Sequence, residues 1–177
     1  AQTPIFSARG GQAGGGALSL TATRGEGLPE AVFAIPAWRL MPSGFTATLD
    51  GRAGLDFELA RGIEVQTRGE LASANGRLTY VAAGCSALIV ERLEMDDSDV
   101  TDIAGQICPT NKPLVTVVDG GWRAEGGVTG LHASAPFLAM RFADVVGGFT
   151  ATGGPAGVGL EATVRDRKSL VSGQSGG

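Results

Sequence analysis

The chain of 177 residues holds one histidine, His132, and two cysteines, Cys85 and Cys108. A metal site built on paired histidines is thereby excluded, and the cysteine spacing is not the Cys-x-x-Cys of a redox or zinc centre. No Gly-x-Ser-x-Gly elbow presents a serine nucleophile, and Gly14-Gly15-Gly16 lacks the lysine and the serine or threonine of a phosphate-binding loop. The acidic run Asp96, Asp97, Asp99 and Asp102 fails as a calcium loop. With Asp97 first, Asp102 stands where that loop needs glycine and Cys108 where it needs glutamate. These carboxylates read as a solvated turn and His132 as a surface or edge residue. No catalytic residue, metal ligand or cofactor is assigned, and the chain does not read as an enzyme.

Charge is sparse as well. Charged residues make up 18% of the chain, and 14 Lys and Arg against 18 Asp and Glu leave a net charge of −4. The basic residues are scattered, which argues against nucleic acid as a partner and against electrostatic attachment to anionic headgroups. No stretch approaches the roughly 20 apolar residues that span a bilayer as a helix. Ala1-Gln2-Thr3-Pro4 has neither the basic region nor the apolar run of a signal peptide, so a leader already removed, or an internal segment of a longer chain, is expected.

Helical periodicity is missing too, and a period of two takes its place. From Ala53 to Leu59 apolar and polar residues alternate, putting Ala53, Leu55, Phe57 and Leu59 on one face of a strand and Asp56 and Glu58 on the other. The same beat sets Phe45, Ala47 and Leu49 against Thr46 and Thr48, and Ile63 and Val65 against Glu64 and Gln66. It returns in Leu138, Met140 and Phe142 and in Val158, Leu160, Ala162 and Val164. Ala31 to Ile35 and Leu114 to Val118 are short continuous apolar runs suited to burial on both faces. Turn signals lie between these segments: Arg24-Gly25-Glu26-Gly27, Pro42-Ser43-Gly44, Asp50-Gly51, Asn75-Gly76, Asp119-Gly120-Gly121 and Gly153-Gly154-Pro155. Asp50-Gly51 and Asn75-Gly76 are the strongest hairpin signals. The spacing predicts an all-β antiparallel chain. Its sheet is expected over residues 15–165, between a flexible N-terminal segment 1–14 and a flexible tail 166–177.

Aromatics are only 6% of a chain with 29 glycines. A compact sandwich usually carries more large side chains, since these supply much of the buried area. Small inward residues favour an elongated, curved sheet forming a half-open apolar groove, with a glycine-rich β-sandwich as the alternative. The groove is predicted to be lined by Phe45, Ala47, Leu49, Leu55, Phe57, Leu59, Ile63 and Val65, from segments that should pair as neighbours. Leu138, Met140 and Phe142, and Val158, Leu160 and Val164, extend it.

If the stretch from Cys85 to Cys108 is a hairpin turning at Asp96-Asp97, the two cysteines stand directly opposite each other, within reach of a disulfide. Such a bond would imply an oxidising compartment. Two free buried thiols are the alternative.

Gly84-Cys85, an amphipathic run with Leu88, Val90 and Leu93, then Ile107-Cys108-Pro109, a Pro113-Leu114 step, and glycine-punctuated strands through Gly121-Trp122, Gly126-Gly127 and Ala133 resemble the YdbH-like family of intermembrane phospholipid transport proteins, within the AsmA-like envelope bridge proteins. Gly27-Leu28-Pro29-Glu30-Ala31 and Gly44-Phe45-Thr46-Ala47-Thr48-Leu49 are similar to its strand-and-turn rhythm. The resemblance covers roughly residues 15–165. It implies a segment of a longer, membrane-anchored bridge in the periplasm and cell envelope of a Gram-negative bacterium, holding phospholipid or another acyl lipid, with membrane proteins at either end of the groove. A structural or interaction β-domain of an envelope, secretion or adhesin protein is the rival.

Overall fold

The computed structural model describes residues 7–8, 14–22, 30–56, 60–94, 97–155 and 157–171. Its strands are β1 (Ser7–Ala8), β2 (Gly15–Ala22), β3 (Glu30–Met41), β4 (Gly44–Leu55), β5 (Ala60–Ala74), β6 (Arg77–Ala82), β7 (Ser86–Leu93), β8 (Val100–Cys108), β9 (Val115–Val118), β10 (Gly121–Ala135), β11 (Met140–Gly154) and β12 (Gly157–Val171). A single 3-10 turn, Pro136–Leu138, separates β10 from β11.

All 12 described strands belong to one antiparallel sheet, partly curved and not closed into a barrel. From β1 to β5 each strand pairs with the next in sequence. The far edge of β5 is shared: β6 lies along Gly69–Ala74 and β7 along Ala60–Gln66. Next come β9, paired with β6, and β8, paired with β7. Both then lie against β10, which leads to β11 and β12. The sheet is therefore a meander in which β6 and β7 form one interrupted row and β8 and β9 the next. The two breaks, residues 83–85 and 109–114, stand side by side as a seam.

Local chemistry accounts for several of the connections. Asn75-Gly76 and Asp119-Gly120 adopt φ of 51° and 76°, and of 50° and 76°, the paired positive values that a tight two-residue hairpin turn requires. Pro42-Ser43 joins β3 to β4, and Pro155 stands in the turn between β11 and β12. Arg24 to Gly27 lies outside the described residues.

Asp50-Gly51, expected as a hairpin turn, sits inside β4. The glycine serves close approach instead: a Cβ at Gly51 would collide with the Val32 carbonyl oxygen and meet the Phe33 ring at 2.8 Å. Asp50 points to the opposite face, where its carboxylate lies 3.9 Å from Arg68. Three other expectations also change. Ala31 to Ile35 alternates between half-buried and exposed residues, with Val32 exposed, and Val118 ends the other apolar run exposed, so neither is covered on both faces. Leu138 belongs to the 3-10 turn and not to a strand with Met140 and Phe142. β12 continues to Val171, past residue 165.

Burial separates the two architectures weighed from composition. The buried apolar residues among those described are Ala22, Ala47, Ala82, Leu114, Ala135 and Val145, and the largest side chain wholly withdrawn from solvent is that of Ser86. A second sheet packed face to face would withdraw leucines and phenylalanines. The sheet is a single curved layer, and the sandwich alternative is not what forms.

Candidate functional site: an apolar sheet face

Residues paired across antiparallel strands project from the same face, so the register traces each face across the sheet. One line runs Gly16, Trp38, Ala47, Leu71, Tyr80, Val115, Ala124, Ala151, Leu160, crossing from β2 to β12 without a charged residue. A parallel line runs Ala31, Ala53, Val65, Leu88, Gly105, and a third Ser86, Ile107, Val128, Gly147, Val164. Neither contains a charge. The opposite face is different. Its neighbouring line, Arg39, Thr46, Ala72, Thr79, Thr116, Arg123, Thr152, is mostly polar.

Of the residues predicted to line a groove, Phe45, Ala47, Leu49, Ile63 and Val65 share this face, which ends on β5 and β7 at two charges, Arg61 opposite Arg92. Leu55 pairs with Ile63, while Phe57 and Leu59 lie outside the described residues. Val158, Leu160 and Val164 join the face from β12 through Gly153, Ala151 and Gly147. Met140 and Phe142 pair with Ala135 and Ala133 beyond a break in register. Leu138 is exposed and off the sheet.

Glycine abundance and aromatic scarcity have one cause on this face. A Cβ at Gly153 would run into the indole of Trp122 on the facing strand, so that ring lies across the glycine. Gly51 stands in the same way beneath Phe33, Gly69 beneath the Tyr80 hydroxyl and Gly126 beneath Phe149. At these four positions a ring laid over a facing glycine keeps the floor low and covers the bare backbone.

At the seam the face turns locally polar. Thr67 Oγ1 is 2.6 Å from Tyr80 Oη and 2.6 Å from Ser86 Oγ, a chain of three hydroxyls. Burial pushes the Tyr80 phenol above its ordinary value, the Thr67 hydrogen bond works against that shift, and the Asp50 carboxylate adds to it. The neutral form is the one favoured. The Trp38 Nε1 is buried without a hydrogen-bond partner among the described residues.

Cys85 and Cys108 are joined by a disulfide with Cα atoms 4.0 Å apart, one step beyond the Ser86–Ile107 pair of the β7–β8 ladder. The expected register holds, and the alternative of two free thiols is overturned. On the other side of the break, Glu125 accepts from Lys112 Nζ at 3.0 Å and from Arg123 at 2.8 Å. These two bonds hold its carboxyl below the ordinary carboxylate range and tie the 109–114 excursion to β10. His132 is exposed on β10, 4.0 Å from Asp144. Among the described residues no group of three or more His, Cys, Asp or Glu converges on a metal position, and no helix is long and apolar enough to cross a membrane.

Sequence reasoning missed several large side chains of the face, Trp38, Leu71, Tyr80, Trp122 and Phe149 among them. Extending the two-residue count from Val65 through Thr67 and Gly69 would have reached Leu71. The count breaks where a glycine or hydroxyl residue substitutes for an apolar one. Comparison with known proteins finds no matching family model, no matching curated protein and no matching solved structure.

Proposed function

We propose that the apolar face binds the acyl chains of phospholipid, and that the chain is a segment of a cell-envelope lipid-transport protein of the YdbH-like kind. The observation that carries this reading is the line from Gly16 to Leu160, apolar or uncharged at every strand it crosses and covered by no second layer of the described structure. Strands stand about 4.8 Å apart. One leaflet of a hydrocarbon core is about 15 Å deep, half of the roughly 30 Å bilayer core, so three or four strands span one acyl chain. Burial is worth about 0.8 kcal/mol per methylene, and ten methylenes give about 8 kcal/mol without any polar contact. A face of this kind needs no catalytic group. The disulfide fits an oxidising compartment such as the periplasm, and membrane proteins at either end of the groove are the partners this reading requires.

Lipid extraction and mass spectrometry of the purified protein test it, with phospholipid expected to co-purify. Val65→Asp puts a charge on the face and should abolish lipid occupancy while circular dichroism still reports a folded sheet. Gln66→Asp, one residue along and on the opposite face, should leave occupancy intact. Lipid-free wild-type protein, or a Val65→Asp variant that unfolds as a closed core would, overturns the proposal.

A further inference from the structure

The three hydroxyls at the seam leave one donor without an acceptor. Thr67 on β5 lies 2.6 Å from Tyr80 on β6 and 2.6 Å from Ser86 on β7. Each hydroxyl carries a single donor proton, so the chain holds three protons for two bonds. Ser86 is 1% exposed, and its Oγ has no other hydrogen-bond partner among the described residues. Its proton must therefore point to Thr67, since a buried unpaired donor is costly. Thr67 accepts from Ser86, and by donating onward to Tyr80 it completes a chain in which each bond strengthens the next. The donor left over is the Tyr80 phenol, at the half-buried end. Gly69 fixes where that phenol stands: a Cβ at the glycine would meet Tyr80 Oη at 2.8 Å, so the hydroxyl lies low over the face. Its neighbours there, Leu71, Ala82 and Val115, carry no side-chain acceptor.

We propose that Tyr80 donates to an ester carbonyl of the lipid bound on the apolar face, which makes the ligand an acyl ester and places its glycerol end at the seam. This inference rests on the acyl-chain reading above. With the face uncovered, water accepts from the phenol. A hydrocarbon chain laid over β5 and β6 excludes that water and would strand the O–H, and the ester carbonyl is the acceptor that a diacyl lipid carries next to its chains. A phosphate is the poorer match, because the nearby cations Arg68 and Arg77 project from the opposite face. Burial also favours the neutral phenol, the form that donates.

Isothermal titration with a short-chain diacyl phosphatidylcholine below its micelle concentration, and with the dialkyl ether of the same chain length, tests this. The pair shares chain length and phosphate and differs in the carbonyls. The wild-type protein should bind the ester about fivefold more tightly. Tyr80→Phe should bind both lipids as the wild-type protein binds the ether. Tyr80 is the only tyrosine of the chain, so no other phenol can take its place. Equal binding of ester and ether by the wild-type protein overturns the proposal and leaves the acyl-chain reading standing. A Tyr80→Phe variant that keeps the ester preference, even with both affinities lowered, overturns it as well. If neither lipid binds, this inference and the acyl-chain reading fall together. The wild-type comparison stands without the variant if Tyr80→Phe folds poorly.

Discussion

The region from β3 to β5 and the seam between β6 and β9 are parts of the same sheet held together in different ways. Strands β3, β4 and β5 have 12, 12 and 15 residues, and β4 keeps an unbroken register with β5 from Gly44–Ala74 to Leu55–Ile63. Backbone ladders suffice there, helped by the Phe33 ring lying over Gly51. At the seam the strands have 6, 8, 9 and 4 residues. There the side-chain links gather: the disulfide, the three-hydroxyl chain and the Lys112–Glu125–Arg123 cluster. Where ladder hydrogen bonds are interrupted, side chains supply the missing ties.

Removing the strongest tie tests that division most severely. The disulfide closes a loop of sequence separation 23, for which the chain-entropy model gives about 3 kcal/mol. Cys85→Ala/Cys108→Ala should lose about that much in urea unfolding, with amide exchange rising first in β7 and β8 and last in β4. Unchanged stability would mean that the hydroxyls and the Glu125 cluster hold the seam by themselves. Gly51→Val attacks the long-strand region, where the added side chain meets the β3 backbone and the Phe33 ring. A loss of about 2–3 kcal/mol is expected, and exchange should rise in β3 and β4 while the seam stays protected.

Thr67→Val removes the middle hydroxyl and strands those of Tyr80 and Ser86. It should cost about 1–2 kcal/mol, and the companion Ser86→Ala change should recover part of that loss by removing one orphan. The smallest effect lies at Glu125. Its carboxyl is held below the ordinary value of 4.5, so its contribution is complete above that value and is lost as pH falls through the lower folded value. Glu125→Gln should flatten this acid limb of the stability profile and leave stability near neutral pH little changed. An acid limb identical in both proteins would show that the cluster contributes nothing.

The strand class was legible because alternation depends on neighbouring residues: Phe45-Thr46-Ala47-Thr48-Leu49 shows its two faces without reference to the rest of the chain. The Cys85–Cys108 register was legible for a related reason, since a symmetric hairpin fixes distant partners by counting. Asp50-Gly51 was misread because glycine serves a turn and a close approach equally well, and only the Phe33 ring on the next strand distinguishes them. Leu138 was misread because Pro136 starts a 3-10 turn that interrupts the count. The splitting of one row into β6 and β7 could not be read locally. Residues 83–85 become a break only because β5 is long enough to carry both pieces.

The seam also orders the assembly of the sheet. The β7–β8 hairpin is nested within the β6–β9 pair, because the Leu78–Val117 pairing encloses all of Ser86 to Cys108. Bringing β6 to β9 directly means closing a long loose loop, whereas zipping β7 to β8 first shortens it to the residues near the break, at lower entropic cost. Cys85 and Cys108 meet at the end of that inner zipper. Oxidation therefore acts as a ratchet: once the bond forms, the inner hairpin cannot fully separate, and the outer rows assemble on a template already in register.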